Sequence, residues 1–451
     1  MLLDFIQLGF SDNGSLYNTI YNKIKEAYFS GVLKKGERLP SVREAALQLG
    51  VSRTTIENAY DKLCIEGIVE SLPQKGYYFT DYKVSQKTVN KITIDDEKQI
   101  KYDYSGRNVD KDLADIEVWK KTVRKTLLDS KELTSYGDSQ GEYILREAIS
   151  TYIYKSRGVV SLPENIIIGA GIGTLLNILC GLIGRDVKIG FENEGFKQAE
   201  SVFADYGINN VILKSDNNGA IIESIIENDI DTLFLTPSAL SKISVTSLSK
   251  RRNEYIKWME EKENRLIIED DYNGELRLSA RTVPAFQNKA PDKTVYIGSF
   301  SKLLLPSVRL AYMVLPPKLN EKFQKRKSDF NQTCGKTEQR ALAEYIINGS
   351  LEKHLRKLRR QYYLKSQLLK EELKINFPNF KTQIFETSLT VELQTNINVK
   401  SDQLCEELLK RGIKVISSSK NGAFKLSFAG IKENDIKASI GEIKTILKEK
   451  W

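Results

Sequence analysis

The chain has 451 residues and 41% apolar side chains, enough for two or three cores; it has no run of eighteen uncharged apolar residues, and its opening MLLDFIQLGF lacks the basic start of an export signal, so a soluble cytoplasmic protein is expected. Cys64, Cys180, Cys334 and Cys405 have no disulfide or ligand spacing, and the one histidine, His354, sits in the charged run LEKHLRKLRRQ and reads as solvated, which excludes Ser-His and Cys-His catalysis and most histidine metal sites. The net charge of +9 is unevenly placed: residues 1–80 carry nine basic and nine acidic side chains, so any nucleic-acid reading of that segment rests on where its charges sit.

Residues 15–31 place Leu16, Ile20, Ile24 and Ala27 at helical spacing, and Gly31 supplies a stop. Ser41 caps a second helix through Leu47, Gly50 makes a turn, and Ser52 caps a third in which Ile56, Ala59, Tyr60 and Leu63 share one face. After Gly67 the pattern changes to IVES, a PQKG turn and YYFT. Three helices and a two-stranded wing predict a winged helix-turn-helix over residues 11–80. Ser52, Arg53, Thr54 and Thr55 fill the first turn of the third helix, where such folds present side chains to base edges and phosphates; a solvated helix start explains them as well when they are viewed alone. With Arg38, Arg43 and Lys75 flanking them, the stretch GERLPSVREAALQLGVSRTTIENAYDKLCIEGIVES resembles the GntR family of bacterial repressors. The resemblance implies a double-stranded DNA operator as partner, contacted by Arg43, Ser52, Arg53 and Thr55, with Arg38 and Lys75 beside them.

Residues 81–103 are polar, charged and without periodicity, and read as a linker. From residue 104 to 451, short apolar strands alternate with amphipathic helices: NIIIGAG before TLLNILCGLI, VKIGFE before GFKQAESVFADYG, DTLFLTP before SKRRNEYIKWMEEKE, then RLIIEDDY and TVYIGSFSK. This pattern predicts an α/β domain with a mostly parallel central sheet covered on both faces, and a smaller α+β part after about Pro317.

In such a sheet ligands gather at the carboxyl ends of strands. Four strand ends carry unusual residues: GAGIGT (Gly169–Thr174) opens a helix with three glycines; Asp270, Asp271 and Tyr272 follow one apolar strand; Ser299 and Lys302 follow another, with Arg309 beyond; Phe196 follows a fourth. Each signal alone is ordinary turn or cap chemistry. Together they match what pyridoxal phosphate requires: an amine for its aldehyde, a carboxylate for its ring nitrogen, donors for its phosphate and a ring to stack on.

From about Tyr104 onward the chain resembles fold-type I aminotransferases, and winged helix, linker and aminotransferase-like domain in that order resemble the MocR subfamily of GntR regulators. YGDSQGEYILREAI, GAGIGTLL, TPSALSKISVTSLSKRR, IIEDDYNGELR and GSFSKLLLPSVRLAYMVLP carry the likeness. It implies a cytoplasmic homodimer holding pyridoxal 5′-phosphate, with Lys302 as the Schiff-base lysine, Asp270 on the pyridine nitrogen, Tyr272 on the phenolate oxygen and Phe196 stacked. Arg309, Ser299 and the amides of Gly171, Ile172 and Gly173 would hold the phosphate, and Asp271 stays open as a substitute for Asp270. Two departures stand out: Ala239 and Leu240 replace a His-Gln pair, and Lys425 stands where true aminotransferases carry an arginine for the substrate carboxylate. Both keep cofactor groups and erode substrate groups, which favours an effector sensor over an enzyme. The expectation is a transcriptional regulator that senses pyridoxal phosphate, since GAGIGTLL and EDDYNGELR are similar to members controlling vitamin B6 synthesis or salvage. The alternatives are a sensor of an amine or amino acid, and an active aminotransferase.

Overall fold

A computed structural model describes residues 15–82, 100–128, 133–192, 196–216, 218–237, 245–278, 284–386 and 388–450. The chain divides into two compact units, Met1–Asp96 and Glu97–Trp451.

In the first unit α1 (Leu16–Phe29), α2 (Val42–Leu49) and α3 (Arg53–Ile65) precede the antiparallel pair β1 (Val69–Leu72) and β2 (Gly76–Phe79). Ser41 and Glu44 close a capping box, each side chain accepting the other's backbone N–H, and Gly50 ends α2 in the left-handed conformation. Ser52 caps α3 by accepting the N–H of Thr55. Ile20, Ile24, Ile56, Leu63 and Phe79 close the core. The wing has one element more than the sequence suggests, because Arg38 bridges Tyr78 on its outer side.

The second unit begins with β3 (Tyr102–Asp103), which pairs in parallel with β15 (Ile413–Lys414). Tyr102 and Asp103 therefore belong to the fold and not to the expected linker: Tyr102 is buried, and its ring anchors the strand. Of that linker, residues 83–99 lie outside the described residues.

After β3 come α4 (Ile116–Leu128), α5 (Tyr143–Arg157), β4 (Ile166–Gly169), α6 (Ile172–Ile183), β5 (Lys188–Glu192), α7 (Lys197–Asp205), β6 (Asn209–Leu213), the short hairpin β7 (Ser215–Asp216) and β8 (Gly219–Ala220), α8 (Ile222–Glu227), β9 (Thr232–Leu235), α9 (Val245–Glu260), β10 (Leu266–Asp270), β11 (Thr294–Ser299) and β12 (Ala311–Val314). Among the described residues, seven of these strands form one sheet in the order β4-β12-β11-β10-β9-β5-β6. All neighbours are parallel except β12, which runs antiparallel to both β11 and β4.

That reversal positions the site. The carboxyl ends of β4, β10 and β11 lie at one edge of the sheet, and Ser299 and Gly169 both register with Ala311, the first residue of β12. Arg309, which precedes β12, is thereby delivered to the edge where the other strands end.

The chain continues through α10 (Pro317–Lys325), α11 (Lys336–Ile347) and the 27-residue α12 (Ser350–Asn376). A four-stranded antiparallel sheet then combines β13 (Lys381–Phe385), β14 (Thr390–Gln394), β16 (Ile416–Ser417) and β17 (Ala423–Ser427), with α13 (Ser401–Lys410) and α14 (Glu433–Lys450). His354 corrects the solvated reading. It lies on the inner face of α12 with Leu351, Leu355 and Leu358, buried, neither ring nitrogen has a partner, and burial pushes its pKa down.

Lys365 on the same buried face ion-pairs with Asp110 and donates to the Ile431 carbonyl, tying α12 to the start and end of the unit. Lys365→Met strands the Asp110 carboxylate, so it should lower the stability of the unit by about 3–5 kcal/mol. Trp119, Trp258 and Trp451 all belong to the second unit, so tryptophan fluorescence during urea unfolding of the full chain reads this loss directly.

Candidate functional site

A cavity of about 390 Å³ opens at the sheet edge just described, lined by residues from six strand ends and helix starts, among them Gly171, Phe196, Asp270, Tyr272, Ser299, Lys302 and Arg309. Each is placed by a local cause. Gly171 stands at φ +90°, where a side chain is strained, and a Cβ there would lie 2.5 Å from the Arg309 guanidinium. Arg309 itself holds φ +52°, an uncommon conformation for a residue with a Cβ, after the 3₁₀ turn Pro306–Val308. The pair puts a guanidinium against the backbone that opens α6, at the positive end of a twelve-residue helix. Ile172 also lines the cavity, and Ser299 closes this corner with its hydroxyl accepting from the Ser301 amide. Gly173 is not in the lining; a Cβ there would meet Gln198 Nε2 at 3.4 Å.

Asp270 and Asp271 are adjacent and buried, with opposite fates. Asp271 Oδ2 accepts from Arg157 Nε at 2.6 Å and from the Tyr296 hydroxyl at 2.9 Å. Asp270 lines the cavity, and its buried Oδ1 has no hydrogen-bond partner. Burial, and next the Asp271 charge, push its pKa up to about 8. Across the cavity Lys302 Nζ stands 5.5 Å from the centre of the Tyr272 ring, and burial pushes its pKa down to about 8.

Other lining residues escape sequence reading: Gln198, Thr236, Asn273, Ile297 and Ser301. Thr236 had a legible signal, a polar residue directly after the apolar strand DTLFL; its hydroxyl is buried without a partner. Ala239 and Leu240 lie outside the described residues. Lys425 is absent from the lining. It sits on β17 opposite Glu392 of β14, 4.0 Å from that buried carboxylate, with its ammonium 4.6 Å from the Phe385 ring centre.

The arrangement has a definite chemical capacity. A lysine of lowered pKa has a nucleophilic neutral fraction near neutral pH. A buried carboxyl without a partner lacks a cationic N–H donor, and an arginine at a helix start suits a phosphate. A ligand with an aldehyde, a basic ring nitrogen and a phosphate meets all three.

On the first unit, Arg38, Arg43, Arg53 and Lys75 are exposed, and among the described residues none has a carboxylate within ion-pair distance. The Arg38 guanidinium lies against Gly76 in the wing, next to Lys75. Ser52 and Thr55 hydroxyls are 2.8 Å apart and hold each other as the cap of α3.

Residues 16–79 match the bacterial regulatory proteins of the gntR family, and residues 102–443 match aminotransferase class I and II. The chain is 33% identical over 450 residues to the uncharacterized HTH-type transcriptional regulator YdeL of Bacillus subtilis, covering 96% of this chain and 97% of that protein. It is 26% identical over 427 residues to the HTH-type pyridoxine biosynthesis transcriptional regulator PdxR of Corynebacterium glutamicum, covering 93% and 92%. Among solved structures, an archaeal alanine:glyoxylate aminotransferase shares the fold with a TM-score of 0.69 at 19% identity, over 78% of this chain and 91% of that one.

The raised pKa of Asp270 yields a test in cofactor-free protein. Its folded-state proton stabilises the fold fully below pH about 4, and that contribution is lost as pH rises to about 8. Asp270→Asn removes this titration, so the variant should gain on the wild type across that window, by at most about 1.4 kcal/mol per pH unit. Urea unfolding at pH 5 and pH 8 measures the widening gap, and a gap independent of pH would contradict the burial described.

Proposed function

This chain belongs to the MocR subfamily of GntR transcriptional regulators, and we propose that its aminotransferase-like unit binds pyridoxal 5′-phosphate and couples occupancy to operator affinity. One observation carries the reading: the buried, unpartnered Asp270 Oδ1 in the wall of the cavity that also holds the Lys302 amine. Bound there, the cofactor supplies an aldehyde and an electron-withdrawing ring. Lys302 would supply the amine for the aldehyde, and Asp270 the carboxylate that would hold a proton on the ring nitrogen. Tyr272 would serve the ring oxygen and Phe196 the ring face. Arg309, Ser299 and the amides at Gly171 and Ile172 would hold the phosphate. Asp271 is assigned away from the cofactor because Arg157 already neutralises it.

The effector is the cofactor itself, and the protein acts in the cytoplasm as a homodimer on paired half-sites. The name of the pyridoxine biosynthesis regulator supports control of vitamin B6 supply. The Lys425–Glu392 pair supports a sensor over an enzyme, because the lysine in the position of a substrate-carboxylate arginine already faces a carboxylate.

Titrating the purified protein with pyridoxal phosphate should produce a visible absorption band that borohydride fixes onto the chain. Lys302→Ala should lose both. Operator affinity should change about 5- to 150-fold with the cofactor present, at one fixed salt concentration. Equal affinities would move the signal to an amine, and steady release of a keto product would make the protein an enzyme.

On the DNA side, Arg53→Ala should lower operator affinity by about 1–3 kcal/mol and leave the absorption band unchanged. A band shift assay on the operator and on a scrambled duplex separates lost base reading from a lost phosphate contact.

A further inference from the structure

The winged-helix segment, residues 1–80, has no net charge, and the whole excess of +9 lies in the remainder of the chain. Non-specific attraction to DNA is nearly all electrostatic and scales with the cations placed against phosphates. With no net charge, the reader offers only its local cations, Arg38, Arg43, Arg53 and Lys75. The second unit shows where the excess is displayed.

Between Ser350 and Lys370, α12 carries seven basic residues and one acid, Glu352. The structure sorts them. Lys365 is buried on Asp110, and Arg359 donates to the Glu275 carbonyl at 2.7 Å. Lys353, Arg356, Lys357 and Arg360 follow the i, i+3, i+4, i+7 spacing of a single helix face, and all four are exposed. Among the described residues none of the four has an ion-pair or side-chain hydrogen-bond partner. Exposed Tyr363 and Leu364 follow, and then Lys370 and Lys374. Beside Arg356 a cleft of about 200 Å³ adds Lys155 and Ser156, with Glu352 as the one acid in its lining. The opposite face is anchored by Leu351, Leu355, Leu358 and Tyr362, so the cations stand on a fixed platform.

We propose that this face of α12 is a second DNA-contacting surface, which holds the phosphate backbone of duplex outside the sequence read by the winged helix. The inference rests on the reading of the first unit as an operator binder. From Lys353 to Arg360 the helix rises about 10 Å, which spans about three phosphates at 3.4 Å per step along one strand. DNA is the polyanion that fits, because the reader in the same chain brings it to this surface at high effective concentration.

The test uses the full-length chain and two duplexes: an operator recovered by selection, and the same operator extended by about three helical turns of unrelated sequence on each side. Affinity is measured against salt. Each phosphate contact adds about 0.9 to the slope of log affinity on log salt, so the extended duplex should show a steeper slope in the wild type. Neutralising the face with K353Q, R356Q, K357Q and R360Q should remove up to about 2.7 of that slope and at least tenfold affinity on the extended duplex. The bare operator should bind both proteins equally. Retention of the cofactor absorption band checks folding, and R356Q with R360Q alone should remove about half the effect. An unchanged slope on the extended duplex overturns the proposal, even if binding to heparin weakens. A wild type that prefers its operator no better than a scrambled duplex sinks the regulator reading instead, and the flank comparison on scrambled DNA then decides this one.

Discussion

The buried ion pair between Arg157 and Asp271 is the constraint on which the site depends. Arg157 ends α5, Asp271 follows β10, and their 2.6 Å contact fastens the helix layer to the edge of the sheet where the strands terminate. Its surroundings leave no room for variation. The nearby Gly274 could not carry a Cβ, which would press on both partners, and the Tyr296 hydroxyl adds a second donor. Two adjacent carboxylates in a dry interior repel each other unless one is compensated. Because Arg157 compensates Asp271, Asp270 can stand beside it without a partner of its own.

That asymmetry leaves the cavity with unmet demand. A buried carboxyl whose Oδ1 has no partner and a buried amine with a lowered pKa are each expensive to keep in a folded protein, and each would be relieved by a complementary group of one ligand. Arg309 in its left-handed conformation adds a local strain of the kind that clusters at binding sites. The small sheet behaves differently. There the polar groups are already satisfied: Glu392 accepts from Ser418 and Lys420 and faces Lys425, so little unmet demand is left for a second ligand.

Much of this was legible from residue order. The caps at Ser41 and Ser52, the glycine at position 50 and the short apolar strands before GAGIGT, EDDY and SFSK are local signals, and local physics decided them. The choice between Asp270 and Asp271 was not legible, because the arginine that separates them lies 114 positions away in sequence. The antiparallel course of β12 left no trace either, since a strand buried on both faces reads alike in both directions. His354 was misread for a related reason. A run dense in lysine and arginine conceals the apolar stripe of α12, and only the phase set by Leu351, Leu355 and Leu358 shows that the imidazole points inward.

The sheet that brings Arg309 to the site also sets a timetable for synthesis. Among the described residues β4 finds its only partner in the sheet in β12, whose Ala311 registers with Gly169 across 142 positions of chain. At about 5–20 residues per second the ribosome leaves the Ile166–Gly169 segment waiting roughly 7–30 s for that partner. The winged helix, closed by contacts within 65 residues of one another, is complete long before. A nascent chain of this protein therefore carries a finished DNA reader ahead of an unfinished sheet, and through that interval the apolar IIIG segment is open to pairing with another chain.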